Sequence, residues 1–395
     1  MKIDVLGFLF FVALCSIGDA YFKSYPFFFA AFIVVYVFWY RSVCGAVFVP
    51  ASIFLAVGVV VSLLHADAVF DHVSFIKLIL NVFFFFFVSS YVERIDFYKA
   101  VELFRRAAFL FIFLSFIQAF YTVYSRDLWM LPLHLENSSD SYALGGNVFF
   151  GDLNKNIWAS KVAVFMIVST VCQYLVRRGR GSFIVSFFMG SFVLFYVSSR
   201  TAQFAFIVFI LVLAFYHFWL VKRQRAVLLV FAILALPFVF FVLNKIIRLE
   251  FADIASFDPE LGGHMGDGFL ARLIIWNYVL GIFDFKSLAV GNGILSFPIY
   301  TGGIFSENNP HNSFLNILMD FGGVALFLYF FMIWRAAAKA SLSRLLVIPL
   351  LVFLNSQYLG YDAEVMVFLA FIFFVSLSSK RSVWGHSTSA VETSR

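Results

Sequence analysis

Three positions in this chain carry side chains suited to polar chemistry in surroundings that otherwise offer little of it. They are Arg200 in YVSSRTAQFAF, Arg272 in GDGFLARLIIWNYVLGIF and His311 in NNPHNSFLNILMDFGG. A guanidinium presents a rigid fork of donors that fits phosphate oxygens. An imidazole takes or gives a proton near neutral pH. Together they form a set able to hold an anionic leaving group and to remove a proton from a nucleophile. Arg200 sits between two apolar runs with almost no loop around it, beside Ser198, Ser199 and Thr201, all helix-capping types. A helix N-terminus next to a guanidinium makes a good seat for phosphate. At the head of another apolar run, Asn309 suits a cap, Pro310 the first helical position and His311 the first turn. There the positive end of the helix favours a neutral ring that can accept a proton. Each residue also has a plainer reading: Arg200 snorkelling to headgroups, Arg272 solvated on a surface helix, His311 merely capping or anchoring.

The elements that must position these residues are membrane helices. Apolar residues make up 63% of the 395 positions and charged residues only 13%, about half the usual share of a soluble domain. A span needs about 20 mostly apolar residues. Such runs recur near 3–18, 25–40, 44–64, 73–90, 106–124, 157–176, 182–198, 201–220, 226–245, 312–334, 343–358 and 362–379. The fold expected is therefore an all-α polytopic membrane protein of about 12 transmembrane helices, forming a single integral membrane domain over 1–395. Two loops interrupt it, a smaller one at 125–156 and a large one at 246–311. Asp4 interrupts the first run and further spans follow it, so that run reads as an anchor rather than a cleaved signal.

Most of the 28 Lys and Arg residues fall on one side of this alternation, which places both termini in the cytoplasm by the positive-inside tendency. The formal net charge of +6 is thus an orientation signal and not a nucleic-acid footprint. Both long loops and all three candidate residues then lie outside, where no cytosolic nucleotide can drive a reaction. An activated substrate has to arrive in the membrane already.

Several weaker features surround these. FLARLIIWNYVLGIF has the period of an amphipathic helix at the outer interface, with Arg272 and Trp276 four apart on one face. GDLNKNIWASK at 151–161 brings Lys155 and Lys161 to the start of the sixth span, as anchors or as a seat for an anionic headgroup. GNGILS at 291–296 echoes a dinucleotide loop but has no strand-turn-helix setting. FFFFF at 83–87 reads as lipid or core surface. Gly322, Gly323 and Ala325 permit close helix packing. Cys15, Cys44 and Cys172 show no CxxC spacing, and His65, His72, His134 and His264 show no metal-ligand spacing, so neither metal nor cofactor is expected.

Taken in order, the three stretches resemble the bacterial O-antigen ligase and O-antigen polymerase superfamily. SSRTA at 198–202 is similar to its outer-turn arginine motif, and LARLIIW at 270–276, with GNG following, to its second. HNSFLNILMDFGG at 311–323 is similar to the ligase histidine signature: His311, Asn312, nine residues, Gly322, then Ala325 where the family has Gly, Thr or Tyr. The resemblance covers most of 150–335. It implies a GT-C-like glycosyltransferase of the bacterial inner membrane, with a large periplasmic loop containing short interfacial helices. The donor would be an undecaprenyl-diphosphate-linked glycan. Arg200 and Arg272 would hold its diphosphate, and His311 would activate the acceptor hydroxyl. Asn312, Trp276, Lys155 and Lys161 would contact substrate. The reaction would be metal-independent and inverting.

Two activities share this site and differ in the acceptor. A ligase transfers O-antigen polysaccharide to lipid A–core; a polymerase joins lipid-linked repeat units. The nearly complete histidine motif favours the ligase. So does the 125–156 loop, whose only arginine is Arg126. Other polysaccharide-assembly proteins are further candidate partners. A polytopic transporter or lipid-glycan flippase is the competing class, and it conflicts with spans that look nearly free of buried charge and with the lack of an internal repeat.

Overall fold

The computed structural model describes residues 4–40, 42–65, 71–125, 148–152, 154–176, 180–197, 199–221, 269–302, 309–355 and 360–388. Helices account for nearly all of them. In chain order these are α1 (Val5–Ser16), α2 (Tyr25–Tyr40), α3 (Gly45–Leu64), α4 (His72–Arg94), α5 (Phe97–Ser125), α6 (Lys155–Val176) and α7 (Arg180–Val197). They continue with α8 (Arg200–Phe215, extended by a π-helical turn to Val221), α9 (Phe269–Ile282), α10 (Phe285–Val290) and α11 (Phe297–Tyr300). The last three are α12 (Ser313–Ala337), α13 (Ser341–Leu354) and α14 (Ala363–Thr388). Every expected apolar stretch among the described residues is helical, while 226–245 lies outside them.

This is an all-α membrane protein. Among the described residues, six helices are long and apolar enough to cross a membrane: α3, α4, α5, α6, α8 with its extension, and α12. The shorter apolar helices are α1, α2, α7, α13 and the apolar part of α14. In a bilayer every backbone polar group has to be satisfied within the protein, which is why apolar runs of this length become helices. Polar residues at their ends start them. Asp4 accepts from the Gly7 amide, Asp71 from the Val73 and Ser74 amides, and Asp96 from those of Tyr98 and Lys99.

Two helices are enclosed on nearly all sides, as helices without a polar face must be. One is α6, buried continuously from Trp158 to Cys172. The other is the apolar part of α14, buried almost throughout from Ala363 to Leu377 and packed against α4, α6, α12 and α13. Around them α5 packs on α6 and α7, α3 on α4 and α12, and α8 on α6 and α13. Aromatic rings fill much of the interior, with Phe29 stacked on Phe84 at 3.6 Å and Phe111 on Phe165 at 4.1 Å. Of the two readings for the phenylalanine run, core prevails, since Phe84, Phe85, Phe86 and Phe87 are all buried. At the end of the bundle expected to lie outside, the turn after α1 pairs with the segment before α6: the Gly151 amide donates to the Gly18 carbonyl and the Ala20 amide to that of Phe149.

Two expectations are corrected. The helix after His311 begins later than expected: its cap is Asn312 and its first residue Ser313, so His311 precedes the helix instead of lying in its first turn. Pro310 cannot be helical because the Asx turn at Asn309 bends the chain away first. The spans also carry more buried charge than their sequence suggested. Lys161, Asp320 and Glu364 are all buried within helices, and each lies within about three turns of the helix start nearest the expected outer face.

Candidate active site

The site is built on α12 and on the segment from α9 to α11 that folds back against it. Halfway down its outer part α12 breaks: Gly322 has φ 78° and ψ 179°, a conformation open to glycine and costly for any other residue. The break frees the carbonyls of Met319 and Asp320, which would be stranded in an apolar setting without partners. The GNG stretch supplies them. The Asn292 amide donates to Met319 O at 2.8 Å and the Gly293 amide to Asp320 O at 2.9 Å, while the Asn292 side chain donates again to Met319 O at 3.2 Å. The approach is so close that a Cβ on Gly291 would lie 2.5 Å from Asp320 O, and one on Gly322 would lie 2.5 Å from Ala289 O. The glycines of this loop let two stretches of backbone meet.

Asp320 strengthens the same junction. Its Oδ1 accepts from the Ser296 amide at 3.0 Å and the Ser296 hydroxyl at 2.9 Å, and its Oδ2 accepts from Asn316 Nδ2 at 2.9 Å. The carboxyl is fully buried. A small apolar cluster of Ile275 and Val279 from α9, Phe297 from α11 and Met319 from α12 packs beside it. Tyr300 Oη donates to Ile282 O at 3.1 Å, tying α11 to α9. At the start of α10, Asp284 accepts from the Ser287 amide at 2.6 Å, and bonding to Ser287 holds its carboxyl below the usual carboxylate range.

This segment brings Trp276 to the His311 loop. Trp276 Nε1 donates to Pro310 O at 2.7 Å, so α9 is bonded to the residue immediately before the histidine. Arg272, half-buried, lies one turn earlier on α9, about 6 Å along the axis. His311 itself has φ 50°, in the left-handed region, with its amide donating to Asn309 Oδ1 at 3.0 Å. Asn312 then caps α12, its Oδ1 accepting from the Phe314 and Leu315 amides and its Nδ2 donating to Asn355 Oδ1 at 3.2 Å. The side chain is thereby engaged in holding the histidine loop against the end of α13.

The remaining expected residues sit elsewhere on the outer end. Arg200 is exposed at the first position of α8, after Ser199 as N-cap. The Ser199 hydroxyl is buried and makes no capping bond, and none of the described residues satisfies it. The α8 helix packs on α13, and α13 on α12. Lys161 is buried in α6 and turned to Asp152 at 2.7 Å, with Gly151 O at 3.5 Å. That ammonium is committed to an ion pair within the protein. Lys155, one and a half turns earlier, is half-buried at the helix start. Arg126 and the rest of 126–147 lie outside the described residues.

The residue that sequence reasoning missed is Asp320. Its signal was present, an acid inside an apolar run just before a double glycine, but apart from Asn316 its partners are 24 and 27 residues earlier, and no local pattern announces them.

Residues 184–330 match a family described as O-antigen ligase. The match runs from within α7 to within α12 and takes in Arg200, Arg272 and His311. No protein of curated function matches the chain.

Proposed function

From the kinship of residues 184–330 with O-antigen ligases, we propose that this protein is a membrane glycosyltransferase that uses a lipid-diphosphate-linked glycan as donor. Within that superfamily we assign it the ligase reaction, transfer of O-antigen polysaccharide to lipid A–core at the periplasmic face of the bacterial inner membrane. The observation that carries the reading is the bond from Trp276 to Pro310, which joins the Arg272 helix to the His311 loop inside the matched region.

The acceptor hydroxyl attacks the anomeric carbon from the face opposite the diphosphate. His311 takes the hydroxyl proton as the new C–O bond forms. The bond to the bridging oxygen breaks, and its electron pair leaves on the lipid diphosphate. Arg272, and Arg200 at the amino end of α8, neutralise the charge that develops there. Direct displacement inverts the anomeric configuration. Trp276 sets the spacing of arginine and histidine, and Asn312 holds the loop. Lys155 serves at the rim as a headgroup contact, and Lys161 supports the site through Asp152. A scaffold of twelve spans of the GT-C type, formed as one membrane domain, accounts for the alternation of helix ends, with both termini in the cytoplasm.

Joining lipid-linked repeat units is the alternative, with the same donor and the same residues. Complementation separates them. In a ligase-deficient, polymerase-competent strain, wild-type protein restores a lipopolysaccharide ladder on lipid A–core, and the His311→Ala and Arg272→Ala variants do not, although both insert. Restoration of long chains only in a polymerase-deficient strain would transfer the site to polymerase chemistry. Failure in both strains, with expression verified and a compatible glycan supplied, would favour transport.

A further inference from the structure

We propose that Asp320 is a positioning residue for this reaction. It latches the α9–α11 arm to the broken helix α12, so that Arg272 and His311 are held at one working distance. The inference rests on the reading above that these two side chains serve a single transfer.

Besides the packing of Ile294 and Leu295 into the main core, the arm is held by a set of bonds and contacts to α12. Its anchors on α12 are the Asn292 and Gly293 amides at the Gly322 break, the two Ser296 donors on Asp320, the apolar contact of Met319, and the Trp276 bond to Pro310. The backbone bonds at the break demand glycine but no particular side chain. Asp320 is the one carboxyl among these anchors, and it sits about 10 Å along α12 from the first helical residue. An acid that deep in an apolar helix is costly unless it is fully bonded. Here one oxygen takes both Ser296 donors and the other takes Asn316. Its own backbone carbonyl meanwhile receives Gly293. Side chain and main chain of a single residue thus bind the two flanks of Leu295, whose φ of 55° marks the tight bend between them. A reactive arginine on a loosely held arm would lose its alignment, and misplacement by about 1 Å costs on the order of 100-fold in rate.

The role requires an acceptor, not a charge and not a transferable proton. In Asp320→Asn the amide oxygen still accepts from Ser296. Asn316, whose Oδ1 has no partner, can turn over to receive the new NH₂. In Asp320→Leu the Ser296 donors are left buried and unpaired.

Full-length protein is purified in detergent and assayed with an undecaprenyl-diphosphate-linked oligosaccharide and lipid A–core, beside amide hydrogen exchange of the same samples. Asp320→Leu should lower kcat about 100-fold with donor KM within about threefold. Exchange should quicken about tenfold across 291–297 while α4 and α6 stay protected. Asp320→Asn should keep kcat within about threefold and leave its pH profile unchanged. Should Asp320→Leu fail to fold, Ser296→Ala, which deletes one bond, should still cost about fivefold in kcat. A dead but folded Asp320→Asn would overturn the proposal and make Asp320 a proton carrier in the chemistry. Full activity in a folded Asp320→Leu, or in Ser296→Ala if the leucine variant does not fold, would overturn it as well, as would exchange that rises uniformly over the molecule. Turnover of neither acceptor by wild-type protein refutes the ligase and polymerase readings instead, and exchange at 291–297 then decides the latch alone.

Discussion

His311 occupies a backbone conformation that few side chains accept. Non-glycine residues in the left-handed region lose about 1–2 kcal/mol, and asparagine and histidine are among those that tolerate it best. Chemistry and fold can therefore be separated at this position. His311→Asn keeps the φ of 50° within reach and removes the base, so transfer should fall by about 10²-fold or more with thermal stability unchanged. His311→Val, β-branched, should lose stability as well. Arg272 offers a second separation. Arg272→Lys keeps the charge but not the planar fork, and it should restore less than a tenth or so of the lost activity if the diphosphate is gripped by two oxygens. Both are read by single-turnover assays on purified protein. All three residues proposed to react stand out in the sequence, because ionisable side chains are conspicuous against so apolar a background. The backbone state of His311 could not, since Asn309, Pro310 and Asn312 each suit a helix start and only their bonds decide which of them caps.

At the scale of the element, the broken helix α12 and the arm that fills the break act as a pair. Gly322→Ala places a methyl against the Ala289 carbonyl, and Gly291→Ala places one against Asp320 and Gly322 backbone. Both positions also have positive φ. Either substitution should undock the arm, abolishing transfer while leaving α3 and α4 protected in hydrogen exchange. Acid weakens the arm by another route. The folded-state pKa of Asp284 is depressed by its bonding to Ser287, so the cap it gives α10 is fully present above the ordinary carboxylate pKa. That cap is lost as the pH falls through the lowered value. Exchange in 285–290 should therefore rise only at strongly acid pH, and in Asp284→Asn this pH dependence should vanish. The helices themselves were plain in the sequence, since length and hydropathy specify them locally. The arm was not, because the Gly-Asn-Gly turn takes its meaning from carbonyls 27 residues away on another helix.

For the whole molecule, the alternation of helix ends predicts where reagents reach it. Cysteine introduced at Ser24 or Asn309 should react with an impermeant thiol reagent from the periplasm, and one at Tyr98 or Lys339 should not. The pair of buried Lys161 and half-buried Asp152 fixes the outer end of α6. Removing one partner, as in Asp152→Ala, should cost about 1–3 kcal/mol, the ammonium keeping the Gly151 carbonyl and the nearby charge of Glu364. Unfolding in detergent by heat measures it. The charges of the loops give an expected orientation but not which helices are central, because nearly every run is equally apolar. Packing alone makes α14 the hub. That helix is also the last described in the chain, and the ribosome makes it after everything it touches. Until residues 363–377 enter the bilayer, the faces of α4, α6, α12 and α13 that will enclose them have only lipid or each other for company. Biogenesis thus has a late closing step, and a nascent chain halted before it leaves those faces uncovered, however well the residues proposed for the site have been made.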